Sequence, residues 1–155
     1  MPTDAMDSTL KDNILDLIAR ESDMTIATVC PDGQPLASTV SYASSDLILY
    51  FGTSSNSGKV ENIKHENRVS LTINRPYRFW KDIEGLTVTG IASIVQAPEE
   101  FRKASQLVFE KFPLVNDFAR HDSDEVVFIK ITPVKIHYLN YRKGVGHTEQ
   151  ITIDL

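Results

Sequence analysis

Residues 53–59 hold a dense set of groups suited to one ligand: hydroxyls on Thr53, Ser54, Ser55 and Ser57, the bare backbone of Gly58, and the ammonium of Lys59. If Ser57 caps a helix, the free N–H groups of the first turn point at a common site and favour an anion. Gly58 lets a ligand come close to the backbone, and Lys59 adds a mobile positive charge. Hydroxyl, amide and ammonium donors together suit a phosphate group. A capped helix on a polar loop explains the same residues without a ligand, and the spacing alone leaves both readings open.

The second candidate is the aromatic and cationic run Tyr77-Arg78-Phe79-Trp80-Lys81. It suits a flat ring system or a subunit contact. Other chemistry is sparse. His65, His121, His137 and His147 include no i, i+4 pair and have no cysteine partners, so no zinc site is expected. Cys30 is the one cysteine; it excludes an intrachain disulfide and reads as structural or incidental. Asp122, Asp124 and Glu125 read as a solvated turn.

The elements that must position these groups follow from periodicity. Leu10, Ile14, Leu17 and Ile18 predict an amphipathic helix over 9–21, with Thr9 as its cap. Strands are expected over 24–29, 36–42 and 47–51, joined tightly enough to form an antiparallel meander. A short helix near 57–65 interrupts the sheet. Val69, Leu71 and Ile73 then alternate with polar residues, which predicts a strand with one buried face. Another strand is expected over 86–95. Pro98-Glu99-Glu100 opens a helix whose inner face is Phe101, Ala104, Val108 and Phe112. A short helical piece over 114–120 follows, then strands over 125–132 and 134–141 separated by Pro133. Residues 1–7 read as a flexible arm and 143–155 as a C-terminal tail. The count is six or seven strands with three helices. The connections are too short for parallel crossovers, so the expected fold is mainly β with peripheral helices, an antiparallel barrel in the α+β class.

With 155 residues the chain is read as a single domain, 1–155. A net charge of −5 argues against a dense cationic face for nucleic acid, so no nucleic-acid partner is expected. No apolar run reaches the length of a membrane span, and the first residues lack a signal-peptide pattern. No membrane partner and a cytoplasmic location are the expectations.

The ordered set of motifs resembles the FMN-binding split-barrel family, the pyridoxamine 5'-phosphate oxidase-like proteins. It comprises Ile26-Ala27-Thr28-Val29 before Pro31-Asp32-Gly33-Gln34-Pro35, then Leu49-Tyr50-Phe51-Gly52-Thr53 leading to Ser57-Gly58-Lys59. Glu61-Asn62-Ile63, Asn67-Arg68-Val69-Ser70-Leu71 and Leu86-Thr87-Val88-Thr89-Gly90-Ile91-Ala92 continue it. The likeness covers residues 20–141. It implies a split β-barrel homodimer that holds FMN in a groove between subunits and acts on a small-molecule substrate. By position, Ser57 and Lys59 would hold the FMN phosphate, with Thr53 and Ser54 beside the phosphate or ribityl chain. Ser38, Thr39 and Val40 would border the isoalloxazine ring, and Trp80 would lie at the dimer groove. Many members carry an arginine on the second strand, where this chain reads Ala37-Ser38-Thr39-Val40. Lys64, Arg68 or Arg78 would have to supply that charge.

The resemblance implies an FMN-dependent oxidoreductase with no side chain marked as an acid–base catalyst. True pyridoxamine phosphate oxidation is not expected, because the tail Tyr141-Arg142-Lys143-Gly144 lacks the usual arginine-histidine substrate pattern. A deazaflavin-dependent reductase on the same fold is one alternative. A flavin- or haem-binding protein without turnover is another, with His147 as a haem contact.

Overall fold

The computed structural model describes residues 8–113 and 125–153. Among them are eight strands, three α-helices and two 3-10 turns. The strands are β1 (Asp23–Val29), β2 (Pro35–Ser41), β3 (Ala43–Ser45), β4 (Ile48–Ser54), β5 (Arg68–Asn74), β6 (Glu84–Ile94), β7 (Val126–Asn140) and β8 (Thr148–Thr152). The helices are α1 (Ser8–Arg20), α2 (Gly58–His65) and α3 (Pro98–Lys111). All pairings are antiparallel, in the order β2-β1-β5-β6-β7-β4-β3, with β8 also on β7.

The expected meander is only half present. β1 pairs with β2, but β4 pairs with β7 and β3 instead of β2. β2 and β3 stand at opposite ends of the strand order, yet only Tyr42 separates them in sequence. The sheet must therefore curl until its ends meet, which makes the split barrel. Tyr42 is fully buried at that seam. Its hydroxyl donates to the Ile18 carbonyl at 2.6 Å, and its N–H donates to the Ser22 carbonyl. The Lys111 ammonium stands 4.0 Å from the Tyr42 ring centre and donates to the Glu21 carbonyl at 2.6 Å, joining the ends of α1 and α3.

The alternation of each strand decides the core. Met24 and Ile26 from β1, Leu71 and Ile73 from β5, Leu86 and Val88 from β6, and Ile129, Ile131 and Ile136 from β7 all point inward. α1 closes one end with Ile14, Leu17 and Ile18. α3 covers the outside of β4 and β7, where Ala104 meets Tyr50 and Phe128. Phe101, expected on that inner face, is more exposed but packs edge-to-face on Phe128 with centroids 5.1 Å apart.

Several boundaries differ from the sequence reading. α1 already includes Ser8, so Thr9 lies inside its first turn. Residues 43–45 form β3 instead of a turn, and the reversal falls at Asp46, a non-glycine residue at φ 52°. The two strands expected around Pro133 are one strand of 15 residues. A bulge accommodates the proline: Gly90 faces Pro133 while Thr89 faces Lys135, so Val134 is the extra residue. A Cβ on Gly90 would stand 2.6 Å from the Thr132 carbonyl oxygen, so only glycine fits this crossing. The C-terminal tail is not an appendage. A 3-10 turn (Tyr141–Lys143) reverses it, and β8 returns along β7 with Ile151 buried. The helical piece expected over 114–120 and the carboxylates Asp122 and Asp124 lie outside the described residues. No helix among the described residues is long and apolar enough to cross a membrane.

Candidate functional site

β4 carries Thr53 and Ser54 to its end, and the chain turns at once into α2. Ser57 N–H donates to the Ser54 carbonyl at 3.0 Å, and Asn56 N–H to Ser54 Oγ at 3.3 Å. Ser55 N–H donates to the Glu125 carbonyl, tying the loop to the entry of β7. Ser57 is extended (φ −69°, ψ 152°) and its Oγ accepts from Val60 N–H at 3.3 Å, which makes it the cap that the sequence implied. The Ser57 carbonyl accepts from Glu61 N–H. Neither the Gly58 nor the Lys59 N–H has an acceptor among the described residues. A Cβ on Gly58 would meet nothing within 4 Å, so the approach to the first turn is open.

Lys59 is half-buried, and no ion pair or hydrogen bond engages its ammonium among the described residues. An uncompensated cation beside two free amides is an electrostatic sink for an anion. At the other end of α2, Lys64 and His65 complement the negative end of the dipole.

What holds α2 in place is a buried polar link. The Asn62 side chain is 4% exposed, and its Nδ2 donates to Thr28 Oγ1 at 3.0 Å and to Cys30 Sγ at 3.5 Å. Val60 and Ile63 enter the core on either side. Cys30 thus has a structural contact with the helix. Sequence reading treated Asn62 only as part of a motif and did not single out Thr28. A polar residue amid the apolar positions of a short helix was the available signal.

Thr28 faces Leu36 across the β1–β2 ladder, which locates β2 relative to α2. Ser38 is two residues further along, about 7 Å, and faces Ile26. Ser38 and Val40 are half-buried on the core side of β2. Thr39 is exposed on the other face, where its Oγ1 meets Thr25 Oγ1 at 3.2 Å. The three are therefore split between the faces of an edge strand.

Trp80 stands apart. It opens the 3-10 turn Trp80–Asp82 and is 67% exposed, with Phe79 at 63% and Tyr77 at 54%. α2 enters β5 at Arg68, whereas the aromatic loop leaves β5 after Asn74. One whole strand, about 20 Å, separates them within a single chain. Of the cations offered in place of the strand arginine, Arg68 is held by Glu66 at the foot of α2, and Arg78 sits in the exposed loop.

A shallow groove of about 450 Å³ lies on the outer sheet face at the α2 end of β5. Ala27, Val29, Ser70, Thr89, Ile91 and Val134 line its floor, and Glu66 and Arg68 form a polar rim. The sequence reading did not identify it, although its floor positions Ala27, Val29, Ser70, Thr89 and Ile91 are small or β-branched outward residues of β1, β5 and β6.

The sequence model of the pyridoxamine 5'-phosphate oxidase family matches residues 10–140. The chain belongs to this family. Three solved structures show how the fold of this oxidase-family chain recurs. A haem-binding protein from Mycobacterium smegmatis superposes with a TM-score of 0.79 at 18% identity, covering 96% of this chain and 60% of its own. This chain therefore spans 60% of that relative's length. The haem-storage protein HutZ from Vibrio cholerae gives 0.68 at 17% identity, over 79% of this chain and 88% of its own. A putative pyridoxamine 5'-phosphate oxidase from Listeria innocua gives 0.66 at 21%, over 84% and 98%. At these identities the likeness concerns the fold. No curated protein matches the sequence. The oxidase-like split barrel is thus common to proteins described by different ligands, and the ligand must be argued from residues.

Proposed function

We propose that this chain is an FMN-binding oxidoreductase that works as a homodimer on a small-molecule substrate. The observation that carries the reading is the β4–α2 corner, where Lys59 and two free N–H groups stand together in a chain of the oxidase family. The donor set fits a phosphate monoester. Lys59 would supply charge, the Gly58 and Lys59 amides would supply directed donors, and the Ser57 hydroxyl would still donate while its oxygen caps the helix. The second strand reads Ala37-Ser38-Thr39-Val40 where many relatives carry a guanidinium, so the phosphate would be held by fewer charges here.

FMN would supply the redox chemistry itself. The chain's own part is to bind, orient and exclude water. Thr53 and Ser54 would flank the phosphate end, and Ser38 and Val40, half-buried on β2, would border the ring. Trp80 lies about a strand's length from Lys59 in one chain, so it would reach the same flavin only from a second subunit. Its exposure supports that arrangement.

Visible absorbance of protein purified without added cofactor tests the reading. Flavin bands with FMN released on denaturation support it, and so does tight uptake of added FMN that Lys59→Ala weakens. Colourless protein that takes up no FMN overturns it. A haem-binding reading draws on the likeness to the M. smegmatis and V. cholerae proteins. There His147, whose Nε2 lies 3.3 Å from Glu149 Oε1, would be the residue to replace. A Soret band on haem addition, lost in His147→Ala, would favour it. Uptake of a deazaflavin in preference to FMN would move the assignment to the reductase alternative.

A further inference from the structure

A second polar cleft lies at the other end of β5 from α2. Its volume is about 400 Å³, and three guanidinium groups from three separate elements line it: Arg20 at the end of α1, Arg75 just after β5, and Arg142 in the turn before β8. Glu84, at the start of β6, is the carboxylate they surround. Arg20 Nη2 lies 3.3 Å and Arg75 Nη1 3.5 Å from its Oε1, and the Tyr138 hydroxyl donates to its Oε2. The Glu84 side chain is only 13% exposed, so its charge is committed to these partners.

The charge in the cleft does not balance. Arg20 also pairs with Asp16 at 2.8 Å, so two carboxylates face three guanidiniums. Arg142 is the remaining one. Its backbone N–H is held by Asn140 Oδ1 at 3.1 Å, which fixes the residue at the cleft mouth. Its guanidinium joins no ion pair among the described residues; burial and Glu84, with Glu149 adding, push the Tyr138 hydroxyl up, and the Arg142 charge opposes them. The turn is itself anchored, since Tyr141 N–H donates to the Ile83 carbonyl and Gly144 N–H to the Tyr141 carbonyl.

An uncompensated guanidinium on a fixed turn, beside two more held in place by a recessed carboxylate, is an arrangement that binds oxyanions bidentately. We propose that this cleft binds a small organic anion carrying a carboxylate or phosphate group, with Arg142 as the primary contact. The site is separate from the β4–α2 corner and does not depend on flavin. Glu84 sets its strength: it positions Arg20 and Arg75 but competes with any incoming anion for them.

Isothermal titration calorimetry at constant ionic strength, with citrate and with inorganic phosphate as probes, tests this directly. The arms separate carboxylate from phosphate recognition. The expected result is saturable binding of at least one probe at one site per chain, apart from any phosphate held at the Lys59 corner. Arg142→Ala should weaken it roughly tenfold or more, while Lys59→Ala leaves it unchanged. Glu84→Gln keeps the tyrosine contact and should tighten binding, because it removes the competing charge. A merely structural role for Glu84 would give the opposite sign. Absence of saturable binding with both probes overturns the proposal. So does citrate binding that Arg142→Ala leaves intact, or that Lys59→Ala abolishes.

Discussion

Asn62→Ala tests the buried link that orients α2, and the geometry sets the size of the effect. The substitution removes a buried NH2 group that donates at 3.0 Å to Thr28 Oγ1 and at 3.5 Å to Cys30 Sγ. The oxygen–donor bond contributes about 1 kcal/mol, and the contact to sulfur less. Thr28, itself 1% exposed, is left with a hydroxyl that has lost its partner, which adds about 1–2 kcal/mol. The total is about 2–3 kcal/mol. At this chain length that corresponds to roughly 5–10 °C in Tm. Urea denaturation followed by far-UV circular dichroism gives the quantity directly, as a lower midpoint at unchanged m. A double-mutant cycle with Thr28→Val isolates the pair, and a coupling of about 1 kcal/mol is expected. A loss under about 0.5 kcal/mol for Asn62→Ala, the range of ordinary surface changes, would refute the claim that this link holds the helix. The same variant should weaken FMN uptake further than its stability loss alone explains, if α2 presents the phosphate donors.

Three other outcomes are expected. Gly90→Ala places a methyl 2.6 Å from the Thr132 carbonyl at the bulge, so it should destabilise by about 1–3 kcal/mol, read as a lower urea midpoint; an unchanged midpoint would mean the bulge can open. Trp80→Ala should shift sedimentation toward monomer or alter the flavin spectrum, and a variant unchanged in both places the aromatic loop outside the groove. Glu100 is held below the usual carboxylate range by the Lys130 ammonium at 2.9 Å, with the Tyr50 hydroxyl adding a second hydrogen bond and burial opposing both. Burial, then Glu100, pushes Tyr50 up to about 12. A depressed carboxylate stabilises the fold above its unfolded value and loses that contribution as pH falls through its folded value. Stability should therefore decline below about pH 5, less steeply in Glu100→Gln; identical acid limbs would show that the pair is inert.

The sequence carried local structure well and long-range pairing poorly, for identifiable reasons. Ser57 was legible as a cap because capping is decided within four residues, and the alternation of Val69, Leu71 and Ile73 fixed the buried face of β5 in the same local way. The partner of β4 was not legible. Short connections favour neighbouring pairs, but Tyr42 buries its ring between the sheet's two ends and its hydroxyl satisfies an α1 carbonyl, so the chain leaves β2 for the far edge. Pro133 suggested a break because a proline lacks a ladder donor. Gly90, 43 residues earlier, permits the close crossing that makes the break unnecessary, and nothing near Pro133 reports that.

The candidate site divides along the same line. Ser57, Gly58 and Lys59 are contiguous, so their joint presentation needed only the helix that the cap implies. Asn62 and Thr28 are 34 residues apart, and their bond exists only once β1 and α2 are packed. The arginine cleft is less local still, since Arg20, Arg75 and Arg142 meet through α1, β5 and the end of β7. In one chain the aromatic loop and the Lys59 corner occupy opposite ends of β5, and the outer groove, floored by small and β-branched residues, lies at the α2 end. A planar ligand anchored at Lys59 could touch Trp80 only if a second sheet lay across that groove. Flavin uptake and self-association should therefore fail together when the groove floor is charged. Thr89→Glu, outward-facing and remote from Lys59 in sequence, should reduce both, whereas a monomer that keeps full FMN affinity would confine the cofactor site to a single chain.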